Sequence, residues 1–171
     1  EAALIEAHTG QPLTEDWMVR FRERRNIRLM QEVQAVKGAV EAVKALHARL
    51  QGRIACASGA DRPKVEMQLA KCGLMPYFEG RIFSGHDLPR SKPAPDVYLA
   101  AARAVNVAPH RCLVVEDTVT GVTAGIAAGA TVFGYSPPEA GHDAPDALRK
   151  AGATAIFTRM EDLPALVRQA D

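Results

Sequence analysis

The chain has 171 residues, 47% of them hydrophobic, 24% charged and only 5% aromatic, with a formal net charge of +1. This length supports one core domain plus a small appendage, and so even a charge balance gives no ground for a nucleic-acid surface. No apolar run is long enough to span a bilayer, and no secretory signal stands at the given start, so a cytoplasmic protein without a membrane partner is expected.

Residues 1–33 read as helical. Thr14 is placed to cap a helix that begins at Glu15 and Asp16, and Trp17, Val19, Phe21, Ile27 and Met30 are scattered between charges. Arg20, Arg22, Arg24, Arg25 and Arg28 cluster there, but Glu23 interrupts them, so a solvated helix face is the better reading than a polyanion site.

From Val36 the pattern changes to alternating helix and strand: helix 38–50, strand 53–57, helix 62–72, strand 80–84, helix 95–105, strand 111–116, helix 119–128, strand 131–135 and a last unit around 155–157. Such alternation predicts an α/β fold, Rossmann-like, with a parallel sheet, right-handed crossovers and helices on both faces. Cys56, Cys72 and Cys112 fall in apolar contexts without pairing or C-x-x-C spacing, as buried reduced thiols do.

Three segments carry chemistry. Arg53 to Ala57 delivers Ser58 and Gly59, a hydroxyl donor and a residue over which backbone N–H groups approach an anion closely, just before a helix opens near Asp61 to Pro63. An ordinary turn is the plainer reading of that pair. In Ser91-Lys92-Pro93-Ala94-Pro95-Asp96 the prolines stiffen the loop, so Lys92 is expected to present its ammonium to an anion rather than wander in solvent. Leu113, Val114 and Val115 then run into Glu116, Asp117 and Thr118; two carboxylates at the carboxyl edge of a sheet suit a hard divalent cation, although Asp117 or Thr118 also serves as a helix cap. Gly121, Gly125 and Gly129 follow at helical spacing and predict close packing beneath that edge, with Gly129 ending the helix. His86 and Asp87 lie at another strand end and read as a polar loop. His8, His47, His110 and His142 occur singly, without ligand spacing.

Serine, lysine and acidic pair, in this order and flanking sequence, resemble the haloacid dehalogenase superfamily of phosphohydrolases, over about Val36 to Pro137. The branch resembled has a helical cap and includes phosphoglycolate phosphatase, 6-phosphogluconate and other sugar-phosphate phosphatases, and β-phosphoglucomutase. The resemblance implies that residues 1–33 are part of the cap and 34–171 the core. It implies that Ser58 and Gly59 bind phosphate, that Lys92 steadies the nucleophile and phosphoryl charge, and that Glu116 and Asp117 hold Mg²⁺. Asp117 is the direct ligand, Glu116 ligates directly or through water, and Thr118 orients the carboxylates.

The family's first motif, an Asp-x-Asp pattern at the end of a central first strand, has no counterpart here. Asp16 stands at a helix start and Asp61 follows the serine loop, so neither is the nucleophile by position. The first central strand is therefore expected to lie outside this chain, leaving the strands that end at Ser58 and Glu116 with unpaired edges. The implied activity of the complete protein is Mg²⁺-dependent hydrolysis of a small phosphorylated metabolite through an aspartyl-phosphate, with this fragment inactive alone. Residues 83–93 look most like sugar-acid phosphatases, whereas Ala60, Asp61 and Arg62 depart from the mutase, which has serine, lysine and asparagine there. A mutase and a non-catalytic anion-binding relative are the alternatives.

Overall fold

The computed structural model describes residues 2–10, 12–139 and 141–169. The chain divides into two compact units, Glu1–Gln34 and Ala35–Asp171.

The first unit holds α1 (Ala2–Thr9) and α2 (Glu15–Glu32). Thr14 caps α2 as its sequence position suggests, its Oγ1 accepting from the Trp17 N–H at 3.2 Å, and Glu15 and Asp16 complement the helix dipole in the first turn. Asp16 pairs with Arg20 and Arg28 with Glu32, one turn apart, so two of the clustered arginines are tied along the helix surface. Trp17 and Phe21 stack with centroids 5.2 Å apart.

The second unit is built of parallel βα units. Helices α3 (Ala39–Arg49), α4 (Arg62–Lys71), α5 (Met75–Phe78), α6 (Asp96–Ala104), α7 (Val119–Ala127), α8 (Pro145–Ala151) and α9 (Leu163–Gln169) accompany strands β1 (Cys56–Ser58), β2 (Ile82–Ser84), β3 (Leu113–Glu116), β4 (Thr131–Tyr135) and β5 (Ala155–Phe157). The strand pattern of the sequence is recovered with shorter ends. β1 begins three residues later than the apolar run because residues 50–54 continue as turns, with Arg53 N–H donating to Leu50 O and Ile54 N–H to Gly52 O.

All strand pairing is parallel, but it forms two sheets, β1–β2 and β3–β4–β5. Among the described residues, β1 pairs only with β2 and β3 only with β4, so each keeps one edge without a strand partner. This matches the expectation of two unpaired edges beside Ser58 and Glu116. On one side of the three-stranded sheet, Val114 and Val132 pack with Val97, Val122 and Leu148 of α6, α7 and α8. On the other, Phe133, Tyr135 and Phe157 pack with Leu46, Leu163 and Val167 of α3 and α9. Successive strand residues thus bury opposite faces, as the pleat requires, and both faces are covered by helices. A third cluster, Val65, Leu69, Phe78 and Ile82, seats α4 and α5 on the two-stranded sheet.

Helix α7 sits close against the sheet because it presents glycines to it. A Cβ at Gly125 would come within 2.7 Å of Val132 Cγ2, and Gly129, at φ +82°, ends the helix before β4. The glycine spacing therefore serves packing under the sheet edge. Among the described residues no helix is long and apolar enough to cross a membrane.

Candidate active site

The carboxyl ends of β1 and β3 open into one cavity of about 710 Å³, lined by Ser58, Gly59, Lys92, Glu116 and Asp117 together with His86, Thr118, Tyr135 and His142. Every residue that the sequence singled out for phosphate or cation chemistry lies on this cavity, although Ser58 and Asp117 are fifty-nine positions apart (117 − 58).

At the end of β1, Ser58 Oγ accepts from the Ala60 N–H at 3.1 Å, which leaves the hydroxyl proton free to donate elsewhere. A Cβ at Gly59 would meet no protein atom within 4 Å, so the space above it belongs to the cavity and no packing constraint demands glycine. The loop is braced from β2 by Ser84, fully buried, whose Oγ donates to Ala60 O at 2.7 Å and accepts from the His86 N–H at 3.1 Å. Asp87 pairs with Arg62 at 2.9 Å, as a polar loop residue does, while His86 reaches the cavity wall.

Lys92 follows the loop expected for it, with a cis peptide to Pro93, but its ammonium is not free. Only 13% exposed, it forms an ion pair with Glu116, donates to Ala57 O at 3.4 Å and lies 4.8 Å from the centroid of the Tyr98 ring. The physical reason is burial: a desolvated ammonium needs a counter-charge, and Glu116, 8% exposed, is placed to supply it. Two of the three ammonium donors are thus used, and one remains for an anion.

Glu116 is satisfied on both oxygens. Its Oε1 accepts from Lys92 and from the Tyr98 hydroxyl; its Oε2 accepts from the Asp117 N–H and from Thr118 Oγ1, each at 3.3 Å. Burial is the largest cause raising the Tyr98 hydroxyl far above the usual tyrosine range, and the adjacent Glu116 charge adds to it, so this group stays a donor. Gly121 makes room for the carboxylate: a Cβ there would lie 2.0 Å from Oε2. Thr118 also caps α7, accepting from the Gly121 N–H at 3.1 Å, so the capping expected of this turn is present beside its two carboxylates.

Asp117 is 40% exposed and meets a residue the sequence reading passed over, His142, through Oδ2 at 2.9 Å. Tyr98 was missed too, although its position two residues into α6 after the proline loop was a usable signal. No local signal marked His142, because its contact joins residues 25 positions apart.

The donor set suits a hard cation. Among the described residues no cluster of three or more His, Cys, Asp and Glu side chains is arranged around a metal. Two carboxylates on an open cavity are what Mg²⁺ uses when waters and a substrate phosphate supply its remaining ligands. Asp117 keeps one oxygen free of hydrogen bonds among the described residues and could offer it to a cation. Glu116 is the more firmly committed to the protein. Burial raises the Cys56 thiol against the opposing pull of Lys92, so this neighbour of the site stays a protonated, inert thiol.

The family model described as haloacid dehalogenase-like hydrolase matches residues 1–129. The chain belongs to this family. Among its relatives, 6-phosphogluconate phosphatase of Escherichia coli is 32% identical over 135 residues, covering 79% of this chain and 57% of the relative. A phosphorylated carbohydrates phosphatase of Thermotoga maritima is 31% identical over 141 residues, covering 81% of this chain and 61% of the relative. The chain thus spans little more than half the length of these two relatives. A haloacid dehalogenase family hydrolase from Deinococcus radiodurans, solved with bound phosphate and sodium, superimposes with a TM-score of 0.81 at 32% identity, over 99% of this chain and 74% of that one.

Proposed function

We propose that the full-length protein is a Mg²⁺-dependent phosphatase of a small phosphomonoester, a sugar or sugar-acid phosphate, acting through an aspartyl-phosphate. The convergence of Ser58, Lys92, Glu116 and Asp117 on one cavity carries this reading. The relatives named for 6-phosphogluconate and phosphorylated carbohydrates support the substrate class.

The nucleophilic aspartate belongs in this reading to a strand outside the chain. The unpaired edges of β1 and β3, which both border the cavity, offer such a strand its place. Phosphate oxygens would then be met by the Ser58 hydroxyl, by the loop N–H groups over Gly59 and by the remaining Lys92 donor. Asp117, with Glu116 directly or through water, would hold Mg²⁺, which when bound supplies positive charge against the phosphoryl oxygens. The ion pair with Glu116 holds the Lys92 ammonium at the cavity. The fragment 1–171 alone is inactive in this reading. Residues 1–33 are in this reading part of a helical cap and 34–171 the α/β core, and the protein is cytoplasmic, with a small phosphorylated metabolite as its partner.

The test is phosphate release by the full-length protein from a panel of sugar and sugar-acid phosphates, with and without EDTA, alongside Asp117→Asn. EDTA and the substitution are each expected to lower turnover by about 10²–10³-fold or more with the fold intact. Turnover indifferent to both sinks the cation role. Isomerisation of a sugar phosphate without phosphate release sinks hydrolysis in favour of a mutase.

A further inference from the structure

Residues 142 and 143 return to the turn after β3 and grip it at three points. His142 Nδ1 meets Asp117 Oδ2 at 2.9 Å, the Asp143 N–H donates to Asp117 O at 2.9 Å, and Asp143 Oδ2 accepts from the Val119 N–H at 2.6 Å. Ser136 anchors the grip from the end of β4, its Oγ donating to Asp143 O at 2.8 Å. The imidazole is itself held, edge to face on Tyr135 at 5.4 Å, and Tyr135 packs in turn on Phe157 at 5.3 Å. An aromatic ladder therefore runs from the core to the Asp117 carboxylate.

An ionised carboxylate only accepts, so Nδ1 carries the hydrogen in this contact. Oδ2 is engaged, and Oδ1 takes no hydrogen bond among the described residues. An aspartate that is 40% exposed would otherwise sample several rotamers, and a cation would have to order it on binding.

We propose that His142 is the positioning residue of the cation site. Its Nδ1–H holds Asp117 Oδ2 and orients the carboxylate so that Oδ1 is left for the cation, without ligating the cation itself. This rests on the reading of Asp117 as a cation ligand. Removal of a hydrogen-bond partner of a ligating carboxylate lowers metal affinity about 10–100-fold.

Two substitutions separate the hydrogen bond from the ring packing. His142→Phe keeps an aromatic ring against Tyr135 and loses the donor; His142→Asn loses the ring and keeps an amide nitrogen near the position of Nδ1. Calorimetric titration of the full-length protein with Mn²⁺ and with Mg²⁺ reads both, with Asp117→Asn alongside and no turnover required. Expected is a Kd weaker by about 10–100-fold in His142→Phe and close to the parent in His142→Asn. The reverse order means that the ring merely packs the loop and overturns the proposal, as does an unchanged or tighter Kd in His142→Phe. Asp117→Asn distinguishes the two levels. If it abolishes binding while His142→Phe does nothing, only the positioning role falls. If it leaves binding unchanged, the cation site at Asp117 falls and the role of His142 with it.

Discussion

The two strand ends that face the cavity are held very differently. At the end of β1, Ser58 Oγ takes, among the described residues, a single hydrogen bond from its own loop, the Ala60 N–H at 3.1 Å, and the space over Gly59 is open. At the end of β3, Glu116 accepts four hydrogen bonds, Asp117 is gripped by residues 142 and 143, and even the helix behind gives up a side chain at Gly121 to make room. The difference follows from what each end must do with charge. A carboxylate removed from water has to be satisfied by the protein at all times, whereas hydroxyl and amide donors that are to meet an anion, as proposed for the Ser58 end, are useful only while left available.

That contrast can be broken by substitution. The largest loss of stability is expected at Lys92→Met, which leaves Glu116 buried without its counter-charge. About 3–5 kcal/mol should be lost in urea unfolding of the full-length protein. A smaller loss, about 1.5–3 kcal/mol, is expected for Tyr98→Phe, which removes one donor to the charged carboxylate and keeps the ring beside Lys92. Ser58→Ala should lie within about 0.5 kcal/mol of the parent, because almost nothing in the protein leans on that hydroxyl, while turnover falls. Equal unfolding midpoints for Lys92→Met and Ser58→Ala would remove the asymmetry. A Ser58→Ala protein of undiminished turnover would leave the β1 end without a function.

Much of the fold was legible in the chain because it is written in local periodicity. The strand 131–135 coincides with β4 and the unit at 155–157 with β5, and the helices from residue 38 to residue 128 fall within a residue or two of their expected ends. Thr14 and the stop at Gly129 were readable for the same reason, since a cap or a glycine stop is a matter of three or four neighbouring residues. The helices at Met75–Phe78, Pro145–Ala151 and Leu163–Gln169 were not picked out. They are four to seven residues long, too short for a helical period to declare itself, although Pro145 and Gly152 mark the start and stop of the second.

The sequence by itself determined that Ser58, Glu116 and Asp117 stand at strand ends and Lys92 in a loop between a strand and the next helix, and therefore that the four share an edge, because parallel βα units carry every strand's carboxyl end to the same side. Only the tertiary structure decided whom they meet there. The pairing of Lys92 with Glu116 joins residues 24 apart, that of Tyr98 with Glu116 residues 18 apart, and that of His142 with Asp117 residues 25 apart. Periodicity reports which way a side chain points from its own element and carries no record of the loop that will fold across it. Lys92 is the example: a buried ammonium takes a nearby carboxylate as counter-charge, and that this carboxylate is Glu116 is settled by packing.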